Sequence, residues 1–192
     1  MLDGMDGLAA GFVAVALGWL MLAAHMAGYT LYFWAMLFLL VPVLGFLVFN
    51  ARHPFRKKAA LFLGDAGSLS LALILGWFAI KMAQPQVPQQ IMPAVVIIWI
   101  MTVPIMDTFA IFFTRMKQGR SPFDADRLHI HYKIQDMGID AKYVTPIIWG
   151  LAFVTGGIGY LGIKIGIPEY VLLYSWSAIL AGYTYYRIKK DA

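Results

Sequence analysis

Six stretches of nearly unbroken apolar side chains alternate with polar connections along the chain: Leu8 to Gly28, Leu31 to Phe49, Ala66 to Ala83, Ala94 to Phe113, Val144 to Ile163 and Tyr170 to Tyr186. Each is long enough, or nearly so, to cross about 30 Å of bilayer hydrocarbon as a helix. The pattern predicts an all-α fold: a polytopic membrane helix bundle of about six transmembrane helices, forming a single transmembrane domain over residues 1–192. An even number of spans returns both termini to one side. Two connections on that side are long enough to carry chemistry, one at 50–65 and one at 114–143.

Composition fixes the solvent. Apolar residues make up 61% of the chain and charged residues 13%, about half the charge of a soluble domain. Cysteine is absent, which excludes disulfides, thiolate metal sites and thiol nucleophiles. The residues before the first run, Met1-Leu-Asp-Gly-Met-Asp, lack the basic segment of a secretory signal.

Charge sets the orientation. Thirteen of the 15 Lys and Arg fall on the side of the termini and the two long connections, and only Lys81 and Lys164 lie opposite. Basic residues near span ends are retained in the cytoplasm, so both termini and both loops are expected there. Topology and anionic lipid headgroups account for most of the +5 net charge, and no nucleic-acid partner is needed. Nine of the ten acids share that side as well, with Glu169 alone opposite. Topology does not demand this, so a cation or polar substrate becomes the question.

In Asp3-Gly-Met-Asp-Gly-Leu-Ala, two carboxylates three residues apart share one face at a helix entrance, where glycines let them converge on a hard cation. The alternative is a macrodipole role for the acids, with Gly7 and Gly11 serving close helix packing. In Phe62-Leu-Gly-Asp-Ala-Gly-Ser68, Asp65 stands between glycines at the start of the third span. There it can hold Mg²⁺ against a diphosphate beside free helix N–H groups, or Asp65 or Ser68 can simply cap the helix. Just upstream, Asn50, Arg52, His53, Arg56, Lys57 and Lys58 form a polar cluster, the last three of which serve topology first.

Asp107 is the one carboxylate within a span. It is expensive in lipid unless it faces the bundle interior, either toward substrate or paired with Arg115 or another basic group near the interface. The loop Gly119-Arg-Ser-Pro-Phe-Asp-Ala-Asp-Arg-Leu-His-Ile-His131 gathers Arg120, Arg127, His129 and His131. Zinc would need further ligands, and the nearby carboxylates suit Mg²⁺ better. Arginines beside imidazoles suit a phosphate or nucleotide instead, with Pro122 shaping the loop entrance. A merely solvated His pair is the plain alternative. His25, next to the opposite face, is read as an interface residue without a role. Gly157-Ile-Gly-Tyr-Leu-Gly162 matches the dinucleotide pattern in letters, but it sits mid-span with no preceding strand, which makes it a helix-packing stripe.

The order and spacing of these elements resemble the polyprenyl-phosphate N-acetylhexosamine-1-phosphate transferases, glycosyltransferase family 4, over essentially the whole chain. Asp3-Gly-Met-Asp-Gly-Leu-Ala is similar to that family's Asp-Gly-x-Asp-Gly-Leu-Ala element, and Phe62-Leu-Gly-Asp-Ala-Gly-Ser to its Phe-Met-Gly-Asp-x-Gly-Ser element. Pro104-Ile-Met-Asp-Thr and Arg120-Ser-Pro-Phe-Asp-Ala-Asp-Arg-Leu-His-Ile-His resemble the two that follow. The last is most specific to the branch that transfers GlcNAc-1-phosphate to undecaprenyl phosphate.

The resemblance implies transfer of N-acetylhexosamine 1-phosphate from a UDP-sugar to undecaprenyl phosphate at the bacterial inner membrane, with the active-site loops cytoplasmic, for cell-envelope polysaccharide synthesis. It implies Mg²⁺, with Mn²⁺ as a substitute, held by Asp65. Asp3 and Asp6 then shape the metal and diphosphate site, while Asn50, Arg120, Arg127, His129 and His131 bind the UDP-sugar. The lipid tail follows a groove on the outside of the bundle. A homodimer is compatible with the pattern. The family carries further N-terminal spans with an Asp-Asp pair, so the chain is expected to correspond to the C-terminal portion of the family fold. Tyr132 stands where the family has the last imidazole of His-Ile-His-His. The competing class is a catalytically incomplete fragment, a membrane scaffold or a transporter-like subunit using Asp107 as an ion site, although a transporter would show repeated halves or polar groups at both faces.

Overall fold

The computed structural model describes residues 5–52, 56, 58–84, 90–121, 124 and 127–191. Its regular elements are helices: α1 (Leu8–Met26), α2 (Thr30–Asn50), α3 (Gly64–Ala83), α4 (Ala94–Ile100), α5 (Thr102–Lys117), α6 (Ile130–Asp136), α7 (Ala141–Lys164) and α8 (Glu169–Asp191). The all-helical bundle expected from the apolar runs is therefore what the chain forms.

Helix α1 is the hub. It packs against α2, α3 and α7, and it buries Leu8, Phe12, Ala16, Leu17, Leu20 and Ala24. By contrast α2 turns Leu31, Phe38 and Val41 outward, the arrangement expected where the surrounding solvent is hydrocarbon and helices satisfy their own backbone. Close approach of the helices depends on glycine. A Cβ on Gly11 would stand 2.0 Å from the Trp149 ring, one on Gly156 would stand 2.5 Å from Trp19, and one on Gly159 would stand 2.4 Å from Trp99. The glycine stripe of α7 is thus a packing surface, as its mid-span position predicts. Two of these indoles also find acceptors: Trp19 Nε1 donates to the Phe153 carbonyl at 3.1 Å and Trp99 Nε1 to the Leu172 carbonyl at 3.2 Å, whereas the buried Trp149 Nε1 meets no acceptor among the described residues.

Two expectations about the spans need correction. The fourth apolar run is not one straight helix, because α4 and α5 meet at 74° around Met101. The cause is local. Pro104 has no N–H to donate to Ile100, and the Thr102 hydroxyl donates to the Trp99 carbonyl at 2.7 Å, taking over a backbone acceptor. The sixth run does form a helix, α8, but it is not among the helices long and apolar enough to cross a membrane. Among the described residues four helices are, or five when the bent pair is counted as one span. Helix α8 carries Glu169, Arg187, Lys189, Lys190 and several hydroxyls, and it packs along α5.

The start of α1, the end of α2, the start of α3, the end of α5, α6, the start of α7 and the end of α8 gather at one end of the bundle. Hydrogen bonds tie these segments together. Gly7 N donates to Asn50 Oδ1, Thr145 Oγ1 to the Asp6 carbonyl, and Arg187 to the Leu128 carbonyl.

Candidate active site

Two polar clusters occupy that end. The first surrounds the start of α1. Gly7 takes φ 76°, a left-handed turn that an L side chain resists, and a Cβ there would press on Ala51 at 2.9 Å. The turn points the Gly7 amide at Asn50 Oδ1, 2.8 Å away, while Asn50 Nδ2 donates to the Leu61 carbonyl at 2.7 Å. Asn50 is buried and joins the mouths of α1 and α3. Asp6 accepts from Arg52 Nε at 2.8 Å and from Ala59 N at 3.4 Å, both through Oδ2. A cavity of about 290 Å³ opens beside them, lined by Met5, Asp6, Ala9, Asn50, Phe62, Leu63 and Gly64.

Asp65 follows Gly64 directly and lies in the first turn of α3, exposed, where the helix dipole favours negative charge. No side chain caps this helix, and Ser68 Oγ donates to the Asp65 carbonyl rather than to an amide. The simple capping alternative is therefore not what the chain adopts. From the same turn an apolar groove of about 440 Å³ runs along α3, with walls from Phe12 and Val13 of α1, Leu75 and Ala79 of α3, and Pro104 of α5.

The second cluster is built on Asp107, which is buried inside α5. Asp107 Oδ2 lies 2.7 Å from His129 Nδ1, and Oδ1 accepts from Ile130 N at 2.8 Å. Arg187 of α8 approaches the same carboxylate at 4.0 Å. The partner of Asp107 is thus the His129 loop together with Arg187. His131 stacks parallel to His129 with ring centroids 5.6 Å apart, and it is only 1% exposed. Burial lowers its pKa from 6.5 to about 4, with the neighbouring His129 adding to the effect, so the ring stays neutral at ordinary pH. Its Nε2 finds no hydrogen-bond partner among the described residues.

The two arginines of the loop are engaged differently. Arg120 pairs with Asp124 at 3.5 Å on the surface. Arg127 lies over the Tyr132 ring at 4.9 Å, so the residue in place of the family imidazole holds a guanidinium. Helix α7 links the clusters: Thr145 bonds to Asp6, and α6 packs on α7. Just before it, Asp140 caps α7 by accepting from Lys142 N at 3.0 Å. That backbone bond lowers the Asp140 pKa.

The structure therefore places Asp6, Asn50, Asp65, Arg120, Arg127, His129 and His131 at one end of the bundle. Asp3, His53, Lys57, Pro122 and Asp126 lie outside the described residues. His25 is exposed at the other end, its ring 5.4 Å from Phe33. Among the described residues no three His, Asp or Glu side chains converge as a metal cage. The donor set suits instead a hard divalent ion that takes one or two carboxylates, keeps its waters and completes its shell with substrate phosphates. Two contributors escaped the sequence pattern. Arg52 stood there in the polar cluster and Arg187 among the basic tail residues, neither with a partner named, and the available signal was an unexplained carboxylate in a span.

Residues 1–83 match the model of glycosyl transferase family 4. The chain is 30% identical over 147 residues to the undecaprenyl-phosphate alpha-N-acetylglucosaminyl 1-phosphate transferase of Pasteurella multocida, an alignment covering 77% of this chain and 41% of that protein. It is 31% identical over 177 residues to the protein of the same description from Yersinia pestis, covering 90% and 47%. It is 30% identical over 198 residues to that of Escherichia coli O157:H7, covering 100% and 52%. The chain spans about half the length of the curated relatives it matches. No solved structure matches it. The motifs, the helical bundle and these alignments agree: the chain is similar to glycosyl transferase family 4 over residues 1–83 and to its undecaprenyl-phosphate alpha-N-acetylglucosaminyl 1-phosphate transferases over most of its own length.

Proposed function

We propose that this chain carries the acceptor side and the diphosphate-binding loops of a transferase that moves N-acetylhexosamine 1-phosphate, GlcNAc-1-phosphate in the first instance, from a UDP-sugar to undecaprenyl phosphate. The observation that carries the reading is the position of Asp65: an exposed carboxylate on a helix N-terminal turn, between a polar cavity at Asp6 and Asn50 and the head of a long apolar groove. A lipid phosphate seated at that turn would trail its hydrocarbon along α3. The end of the bundle bearing these loops would face the cytoplasm of a bacterial inner membrane, following the basic bias.

A phosphate oxygen of the lipid attacks the β-phosphorus of the UDP-sugar. The bond from that phosphorus to the bridging oxygen of the diphosphate breaks, UMP departs, and a lipid-linked diphosphate sugar remains. Two anions must meet, so the reaction depends on positioning and charge neutralisation. Asp65 would hold Mg²⁺, or Mn²⁺ in its place, and the bound ion would supply charge compensation on the transferring phosphoryl oxygens. Asp6, fixed by Arg52, sets the shape of the polar cavity. Arg120 and Arg127, at the surface of the loop, supply cationic donors to the nucleotide phosphates. His129 presents an imidazole edge to the same space, and neutral His131 supports it by stacking.

The test is turnover by the chain reconstituted in vesicles containing undecaprenyl phosphate, with UDP-GlcNAc and MgCl₂, reading lipid-linked sugar and UMP together. Asp65→Asn is expected to lower the rate by about a hundredfold or more, the scale of losing charge stabilisation at a phosphoryl centre. Undiminished transfer by Asp65→Asn would remove the metal assignment, and absence of transfer from the unmodified chain would remove the activity.

A further inference from the structure

We propose that Asp107 and Arg187 form a buried clamp that fixes one tautomer of His129 and leaves its Nε2 as the ring atom through which the loop exchanges a proton or hydrogen bond with substrate. The proposal rests on the transferase reading only for what that substrate is. Asp107 is 4% exposed and Arg187 3% exposed, so both are enclosed by protein, and neither is required by the positive-side pattern alone.

The geometry leaves little choice of proton. An ionised carboxylate only accepts hydrogen bonds. Its Oδ1 is taken by the Ile130 amide at 2.8 Å, and its Oδ2 meets His129 Nδ1 at 2.7 Å. The ring nitrogen at that contact must therefore carry hydrogen, and in a neutral imidazole the other nitrogen is then an acceptor. The His129 side chain is 18% exposed and engages Asp107 through Nδ1, whereas the Nε2 of its stacking neighbour His131 is enclosed. Of the two imidazoles, only His129 combines a fixed inner nitrogen with an outer one that is open.

Arg187 holds the clamp from the far end of the chain. Its Nη1 donates to Tyr183 Oη at 2.8 Å and stands 4.0 Å from Asp107 Oδ1, while Nη2 donates to the Leu128 carbonyl. One guanidinium thus touches the residue before His129 and the carboxylate that orients it. This gives α8, the least apolar of the long helices, a reason to run beside α5: it delivers a cation to a buried acid. Asp107 and Arg187 are positioning residues, and neither is assigned contact with the reacting atoms.

The decisive substitution is Asp107→Asn, which keeps the shape and replaces one acceptor by a donor. The amide cannot accept from both Ile130 N–H and His129 Nδ1–H. With its oxygen kept by Ile130, its NH₂ faces Nδ1, and the ring must move its proton to Nε2. The full chain, labelled with ¹⁵N-histidine in lipid nanodiscs at about pH 7.5, reports the tautomer directly through ring nitrogen shifts, with His129→Gln assigning the signal. The expected result is the Nδ1–H form in the unmodified chain, the Nε2–H form in Asp107→Asn, and a mixture in Arg187→Gln. An unmodified chain already in the Nε2–H form, or Asp107→Asn without inversion, overturns the clamp. An unchanged tautomer in Arg187→Gln removes Arg187 from it.

Turnover supplies the second readout. Asp107→Asn is expected to lower kcat by about a hundredfold with KM for UDP-GlcNAc changed by less than about threefold, since the tautomer matters only where Nε2 acts. Inversion of the tautomer with kcat intact would overturn the role of Nε2. If the unmodified chain transfers no sugar, the transferase reading fails by itself, and the ring shifts still decide whether the clamp exists.

Discussion

Asn50 and Gly7 stand 43 residues apart in sequence and share a 2.8 Å hydrogen bond that joins the end of α2 to the turn preceding α1. The same side chain reaches Leu61 with its amide nitrogen, so one buried residue fixes three segments of the polar cavity. Asn50→Leu leaves a buried N–H and a carbonyl without partners, a loss of about 1–3 kcal/mol each before relaxation. Asn50→Asp keeps the acceptor and loses the donor, so its effect should be intermediate. Denaturant unfolding of the three proteins in detergent should give that order, and equal stability of Asn50→Leu and the unmodified chain would show that the bridge is not structural.

The glycine notches of α7 make a sharper demand on packing. A Cβ on Gly159 would lie 2.4 Å from the Trp99 Cβ, an atom close to the backbone that has little room to move. Gly159→Ala should therefore destabilise the bundle by about 1–3 kcal/mol through overpacking. Gly150→Ala, on the same helix with no neighbour within 4 Å of its added Cβ, should be neutral or slightly stabilising. Parallel thermal melts of the two variants in lipid nanodiscs separate helix packing from any general intolerance of α7 to substitution.

Much of this was legible in the chain itself, because membrane solvent makes one-dimensional pattern unusually informative. Apolar runs set helix positions, and the mid-span placement of Gly157, Gly159 and Gly162 was enough to read them as a packing stripe. The bend at Met101 was harder to read. Thr102 and Pro104 are ordinary within spans, and they break this one because the Thr102 hydroxyl and the missing proline N–H act on the same turn. The network around Asp107 was out of reach for a different reason. Its partners lie 22 and 80 residues downstream, and no periodicity encodes which loop returns to which helix. Sequence showed that the carboxylate needed a partner and offered Arg115, on its own helix, as the nearest candidate.

Tyr132 carries its own prediction. Its ring lies under the Arg127 guanidinium at 4.9 Å, an interaction worth about 0.5–1 kcal/mol at an exposed site. Tyr132→Ala should free Arg127 and raise KM for UDP-GlcNAc about two- to fivefold, the corresponding loss of positioning. Tyr132→Phe retains the π face and should behave as the unmodified chain. If the phenylalanine variant is as impaired as the alanine one, the hydroxyl and not the ring is what the loop uses.

His131 makes stability depend on pH, and the direction follows from its environment. Burial brings its pKa in the fold down to about 4 from the ordinary 6.5. Between those values the unfolded chain binds a proton that the folded chain refuses, so stability rises with pH across that window. The contribution is complete above the ordinary value and is lost as pH falls toward 4, because a charged imidazole would have to be accommodated where Nε2 has no partner among the described residues. The unmodified chain should therefore melt at a lower temperature at about pH 5 than at about pH 7. His131→Gln, which cannot take up the proton, should show a smaller difference between the two conditions. Equal pH dependence in both proteins would mean that His131 is already hydrated in the folded state, and its place as the neutral stacking support of His129 would then be lost with it.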